Sequence, residues 1–198
     1  GMVSTGPSCT GRPAGSPRAG RRLPTTRSAD APSCCGSRFS HACPFARAME
    51  SGRVARLIQV GIRSTTRHQR KQAQRFGVEV HEMRHRPWRL PMSFTGPLYI
   101  SLDMDVLDPA FAPGVSHFEP GGLTVRELID ILQGLKGPVV GADIVEFNPW
   151  QDSSGRTAMV AAKLLKEIAA LMIQAKNPRG EGTVGPKPGG VDVQRQLG

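Results

Sequence analysis

Asp103 and Asp105 stand two residues apart at the end of a short apolar run, Leu98-Tyr99-Ile100-Ser101-Leu102, and Asp108-Pro109 follows as a turn signal. Side chains alternate along a strand, so both carboxylates project to the same side. Like charges held that close repel, and each raises the other's pKa unless something positive lies between them. A divalent cation meets that need, and strand ends are where open α/β sheets place their ligands. Two solvated acids in a loop, or two helix-capping acids, account for a bare Asp-x-Asp equally well. Glu146 closes a later apolar run, in Val145-Glu146-Phe147-Asn148-Pro149, and taken alone it reads as an exposed strand-end acid.

The longer strings narrow the choice. Asp103-Met-Asp-Val-Leu-Asp-Pro-Ala-Phe-Ala-Pro-Gly114, followed by Glu119-Pro-Gly-Gly-Leu123, resembles the arginase and agmatinase family, the ureohydrolases, and most nearly the plant-type arginases. The resemblance runs on through Val139-Val-Gly-Ala-Asp-Ile-Val-Glu-Phe-Asn-Pro149 and Thr157-Ala-Met-Val-Ala-Ala-Lys-Leu164. Upstream it takes in Ser40-His-Ala-Cys-Pro-Phe-Ala-Arg-Ala-Met-Glu50 and Leu57-Ile-Gln-Val-Gly-Ile-Arg-Ser64, so that it covers residues 39 to 175.

The resemblance implies hydrolysis of the guanidinium group of arginine, or of agmatine, to urea and an amine. Guanidinium is a delocalised cation and a poor electrophile. Two manganese ions about 3.5–4 Å apart answer this by generating hydroxide at neutral pH. It makes Asp103 and Asp105 metal ligands, and it makes Glu146 the planar acceptor for the substrate guanidinium. His41 resembles the family's proton-shuttling histidine, which protonates the leaving amine. Glu119 resembles an active-site loop position, with a purely structural role standing beside it. His117, in Gly-Val-Ser-His, is placed to line the entrance or to be an ordinary loop histidine. His68, His81 and His85 carry no assigned role.

These residues need elements to hold them. Phe45 to Glu50 reads as a short helix stopped by Ser51-Gly52, and Arg56 to Ile62 as a buried strand. Thr65 to Phe76 is polar and helix-prone with Gly77 as its stop, and Val78 to Met83 alternates as a strand does. His85 to Gly96 reads as a loop before the strand at Tyr99–Leu102. Thr124 and Glu127 have capping-box spacing, and Val125, Leu128, Ile129, Leu132 and Leu135 mark one helix face ended by Gly137-Pro138. Val139 to Phe147 is an apolar strand. A last helix opens at Ser154 or Thr157, with Met159, Leu164, Ile168 and Leu171 or Met172 inward. Strands alternating with helices predict an α/β fold with a mainly parallel sheet. The resemblance makes it a three-layer α/β/α fold, here incomplete.

The 198 residues suit one domain. Residues 1–38 are rich in Gly, Pro, Ser and Arg and lack strand or helix period, so they are expected to be a disordered basic segment. Residues 39–176 form the partial ureohydrolase domain, and 177–198 a disordered tail. Of the net charge of +10, the stretch 99–176 carries none, with six basic residues against ten acids. Few aromatics interleave with the basic residues, so no nucleic-acid partner is expected. Cys9, Cys34, Cys35 and Cys43 show no Cys-x-x-Cys spacing, which argues against a disulfide framework or a zinc site and fits a reducing compartment. No apolar run approaches the ~18 residues of a membrane span. The resemblance adds a mitochondrial or cytoplasmic location and a homo-oligomer.

One departure weighs against full activity. The family's Gly-Gly-Asp-His and His-x-Asp-Ala-His-x-Asp segments supply four of the six expected ligands, and neither string occurs in this sequence. The opening Gly1 suggests an incomplete sequence. The chain therefore reads as the C-terminal portion of a ureohydrolase or, alternatively, as an inactive remnant that acts at most in subunit contacts.

Overall fold

The computed structural model describes residues 2–5 and 43–176. Strand β1 is Met2–Thr5, followed by helix α1, Pro44–Glu50, strand β2, Leu57–Ile62, helix α2, Arg67–Phe76, and strand β3, Glu79–Glu82. Then come β4, Leu98–Asp103, α3, Val125–Gly134, β5, Val139–Val145, and α4, Arg156–Lys176. Single 3-10 turns occupy Met83–His85, Met104–Val106 and Pro149–Gln151. The five strands form one sheet in the order β3-β2-β1-β4-β5, and every pairing is parallel. The α/β class with a parallel sheet is as expected.

Local chemistry explains where the elements start and stop. Thr66 accepts from the Gln69 amide while the Gln69 side chain accepts from the Thr66 amide, and Gly77 ends α2 at φ 62°. Thr124 and Glu127 form the same reciprocal cap on α3, which satisfies amides the helix cannot pair internally. α3 then stops at Gly134, three residues short of the expected Gly137-Pro138 break.

The core lies between the sheet and α3 with α4. Leu98, Ile100 and Leu102 point from β4 into it, against Leu128, Ile129 and Leu132 of α3 and Leu164 and Ile168 of α4. Each such side chain contributes roughly 1.5–3 kcal/mol on leaving water. Alternation puts Tyr99, Ser101 and Asp103 on the other face. There Asp143 of β5 accepts hydrogen bonds from the Tyr99 hydroxyl at 2.9 Å and the Ser101 hydroxyl at 2.6 Å.

Two expectations are corrected. Met159 does not face inward: it is 73% exposed, and the buried residue of that turn is Thr157, whose hydroxyl accepts from the Gly114 amide. Met2–Thr5 is not disordered. It forms the middle strand of the sheet, paired through Met2–Leu57 on one side and Met2–Tyr99 on the other. Four residues are too few to show a period, and two flanking strands satisfy their backbone groups regardless of side-chain pattern. The rest of 1–38, His41 and the 177–198 tail lie outside the described residues. β5 pairs with β4 but has no neighbour on its other side among the described residues.

Candidate metal centre

The site is built where β4 and β5 end. Asp103 is the last residue of β4, and its carboxylate accepts from the Asp105 amide at 2.9 Å. That contact starts the turn Met104–Val106 and swings the next carboxylate under the strand end. The helix-capping alternative for the Asp-x-Asp pair is thus realised at Asp103. Asp105 is buried, and both of its carboxylate oxygens lack a hydrogen-bond partner.

The following loop is tied down at its base. One Asp108 oxygen accepts from the Ala110 amide at 2.9 Å and the other from the Gly121 amide at 2.7 Å, with Gly122 at 3.2 Å. These bonds hold the Asp108 carboxyl below its usual range. Val115 bridges to Phe147, and the Asn148 side chain donates to the Ser116 hydroxyl at 2.9 Å. This lays His117 beside the end of β5, where Glu146 stands at φ 63°, a conformation that few non-glycine residues adopt.

The result is a cluster in which Asp105, His117 and Glu146 each present a ligand atom within 4.8 Å of the others. Nδ1 of His117 approaches Oδ2 of Asp105 to 3.3 Å without hydrogen-bonding geometry, and it too is buried and unpartnered. Burial pushes the Asp105 carboxyl up to about 6, opposed chiefly by the attraction of His117 and reinforced by repulsion from Glu146. Burial pushes Asp103 up to about 8, opposed by the hydrogen bond from the Asp105 amide and reinforced by the Asp105 and Glu146 charges.

Buried carboxylate oxygens without partners are costly, and a cation removes the cost. Two carboxylates and an imidazole are a donor set suited to a hard-to-borderline divalent ion such as Mn²⁺. The residues present fit one such ion. The sequence named all three of these residues but paired Asp103 with Asp105. The structure brings Asp105 together with His117 and Glu146, and Asp103 stands beside them with one oxygen accepting from the Asp105 amide. Glu119 sits in the loop above, where its carboxylate accepts from the Ser64 hydroxyl.

Arg63 and Asp143 escaped the sequence reading. Arg63 lies next to last in the string Leu57–Ser64, one residue beyond β2, and its guanidinium donates to the Asp105 and Glu119 carbonyls. The only signal for it was its place in the matched string. Asp143 lies inside an apolar run and carries no spacing that would mark it.

The arginase-family profile matches residues 29–171. Over 143 residues the chain is 55% identical to the mitochondrial arginase 1 of Arabidopsis thaliana, covering 68% of this chain and 42% of that protein. The arginase from Medicago truncatula superposes with a TM-score of 0.64 at 51% identity, over 69% of this chain and 46% of that one. A triple mutant of the T. brucei arginase-like protein, bound with Mn²⁺, superposes with a TM-score of 0.61 at 26% identity, over 88% and 52%. The chain spans less than half the length of the plant relatives it matches.

Proposed function

Because the chain belongs to the arginase family, we propose that its strand-end cluster is part of a manganese-dependent centre that hydrolyses the guanidinium group of arginine, or of agmatine, to urea and an amine. The observation that carries the reading is the buried, unpartnered Asp105 carboxylate beside His117 and Glu146. Relatives whose names place them in mitochondria make that compartment the proposed one for this chain.

Asp105, His117 and Glu146 would hold a cation, which when bound supplies Lewis acidity and a water of lowered pKa. The chain's own groups do the rest. Asp105, buried and approached by His117, offers both oxygens inward. Asp103 stands beside the site and accepts from the Asp105 amide, which sets the turn that carries Asp105. Glu146 has a second role open to it, as the planar acceptor of the substrate guanidinium. His41 takes the proton-shuttling role that the resemblance gives it, and Glu119 positions the loop over the entrance.

A specific observation favours the second reading, an inactive portion acting in subunit contacts. The strand between β2 and β4 is Met2-Val3-Ser4-Thr5, and it carries no carboxylate or imidazole. The family chemistry uses two ions, and the donors grouped here suit one. The test joins calorimetric Mn²⁺ titration to a urea-release assay with arginine and with agmatine. The proposal expects one ion per chain and no turnover approaching ~1 s⁻¹, the low end of ordinary enzymes. A chain that binds no Mn²⁺ overturns the metal-centre reading, and rapid turnover overturns the inactive one.

A further inference from the structure

We infer that Arg63 is the positioning residue of this centre, a single guanidinium that sets Asp105 and the His117 loop in register; the inference rests on the proposed metal-centre reading. Two of the three cluster residues, Asp105 and His117, belong to one excursion of chain between β4 and α3. Something must fix the near end of that excursion relative to its far end. Arg63 donates through one terminal nitrogen to the Asp105 carbonyl and through the other to the Glu119 carbonyl, with the Leu107 carbonyl at 3.5 Å. It therefore grips the residue that carries the first donor and a residue two beyond the second.

The approach of β2 makes this reach possible. Gly61 adopts φ 83°, and a Cβ there would stand 2.5 Å from Cγ2 of Val106. Only glycine lets the β2 end close on the Met104–Val106 turn and deliver Arg63 beneath it. A planar fork with several fixed donors matches two or three carbonyls at once, which a lysine ammonium on a flexible stem does not. The guanidinium Nε is itself buried without a partner, a cost that this geometry carries to reach the carbonyls. No direct contact of Arg63 with the donor atoms is involved: it acts through the backbone that carries them.

The experiment compares Arg63→Lys and Arg63→Ala with the unaltered chain by amide hydrogen exchange and by Mn²⁺ affinity from EPR titration. Metal-free exchange is expected to speed up in residues 104–123 in both variants, while β4 and β5 stay protected. Mn²⁺ affinity is expected to weaken about 10–100-fold, as for other residues that orient metal ligands, with the melting midpoint of Arg63→Lys unchanged. Unaltered exchange in that segment overturns the inference whether or not the ion binds. So does exchange that rises equally across all strands, since that marks a general loss of stability. If the unaltered chain binds no Mn²⁺ yet the segment loosens in Arg63→Lys, the positioning role stands and the metal-centre reading alone falls.

Discussion

His117 brings Nδ1 to 3.3 Å from Oδ2 of Asp105, and neither atom has a hydrogen bond. The pair is an attraction without a fixed proton position, held by the loop rather than by itself. His117 is the largest influence opposing burial at Asp105. In His117→Ala the Asp105 carboxyl should therefore titrate above its present value of about 6, as read by carbon NMR of that carboxyl. Mn²⁺ binding should weaken at the same time, because the cluster loses a donor. An unmoved titration would show that the approach has no electrostatic consequence.

Asp103 and Asp105 both keep their protons longer in the folded chain than in the unfolded one, with carboxyls at about 8 and about 6 against 3.8. A group whose folded pKa is raised contributes stability that is complete below the unfolded value and is lost as pH rises through the folded one. The urea midpoint of the metal-free chain is thus expected to fall between roughly pH 4 and pH 8. Asp103→Asn retains an oxygen for the Asp105 amide but cannot ionise. It should flatten most of that fall and add at least about 1 kcal/mol near pH 8. Saturating Mn²⁺ should reverse the trend, since the ion needs ionised carboxylates.

Glu146 stands at φ 63° with no glycine's freedom to do so. Strain of this kind persists where the surrounding structure imposes it and is common at functional sites. Glu146→Gly should relieve about 1–2 kcal/mol of left-handed backbone strain against about 0.5–1 kcal/mol of added chain entropy, so stability should be unchanged or slightly raised. Mn²⁺ affinity should fall in the same variant. Loss of stability would mean that contacts of the side chain outweigh the backbone term.

Much of this was legible because it is local. Thr124 and Glu127, Thr66 with Gly77, and the turn at Asp108-Pro109 each declare themselves within a few residues. The alternation through Leu98–Asp103 gave the strand and its two faces. The grouping of donors was not legible, because it depends on which way Asp103 turns. One of its oxygens accepts from the Asp105 amide, a bond that follows from the three-dimensional turn and not from the spacing. Arg63 was hidden for a related reason: its partners are carbonyls, which every residue has. The middle position of Met2–Thr5 is set by two long-range pairings, and four residues hold no trace of them. Met159 was misplaced because it lies five residues before Leu164, off the stripe that Thr157, Leu164, Ile168 and Leu171 form at helical spacing. Thr157 itself is buried and bonded to Gly114, which turns Met159 outward.

Among the described residues β5 is an edge of the sheet, and it carries exposed apolar side chains. Val140 is 61% exposed, Val145 39% and, just beyond, Phe147 36%, with Leu165 of α4 at 58%. An exposed strand edge with apolar side chains is a template for pairing with other chains. Val140 sits at an irregularity, since Leu98 pairs with Val139 and Tyr99 with Gly141, so it has no partner of its own in the ladder. A charge placed there meets solvent and disturbs no pairing. Val140→Lys should leave the melting midpoint nearly unchanged, within about 0.5 kcal/mol, as for surface substitutions generally. It should also raise the concentration at which the chain remains monodisperse in light scattering. Unchanged aggregation in a folded Val140→Lys chain would acquit this edge and direct attention to Met159, Leu165 and Ile173, exposed apolar residues of α4.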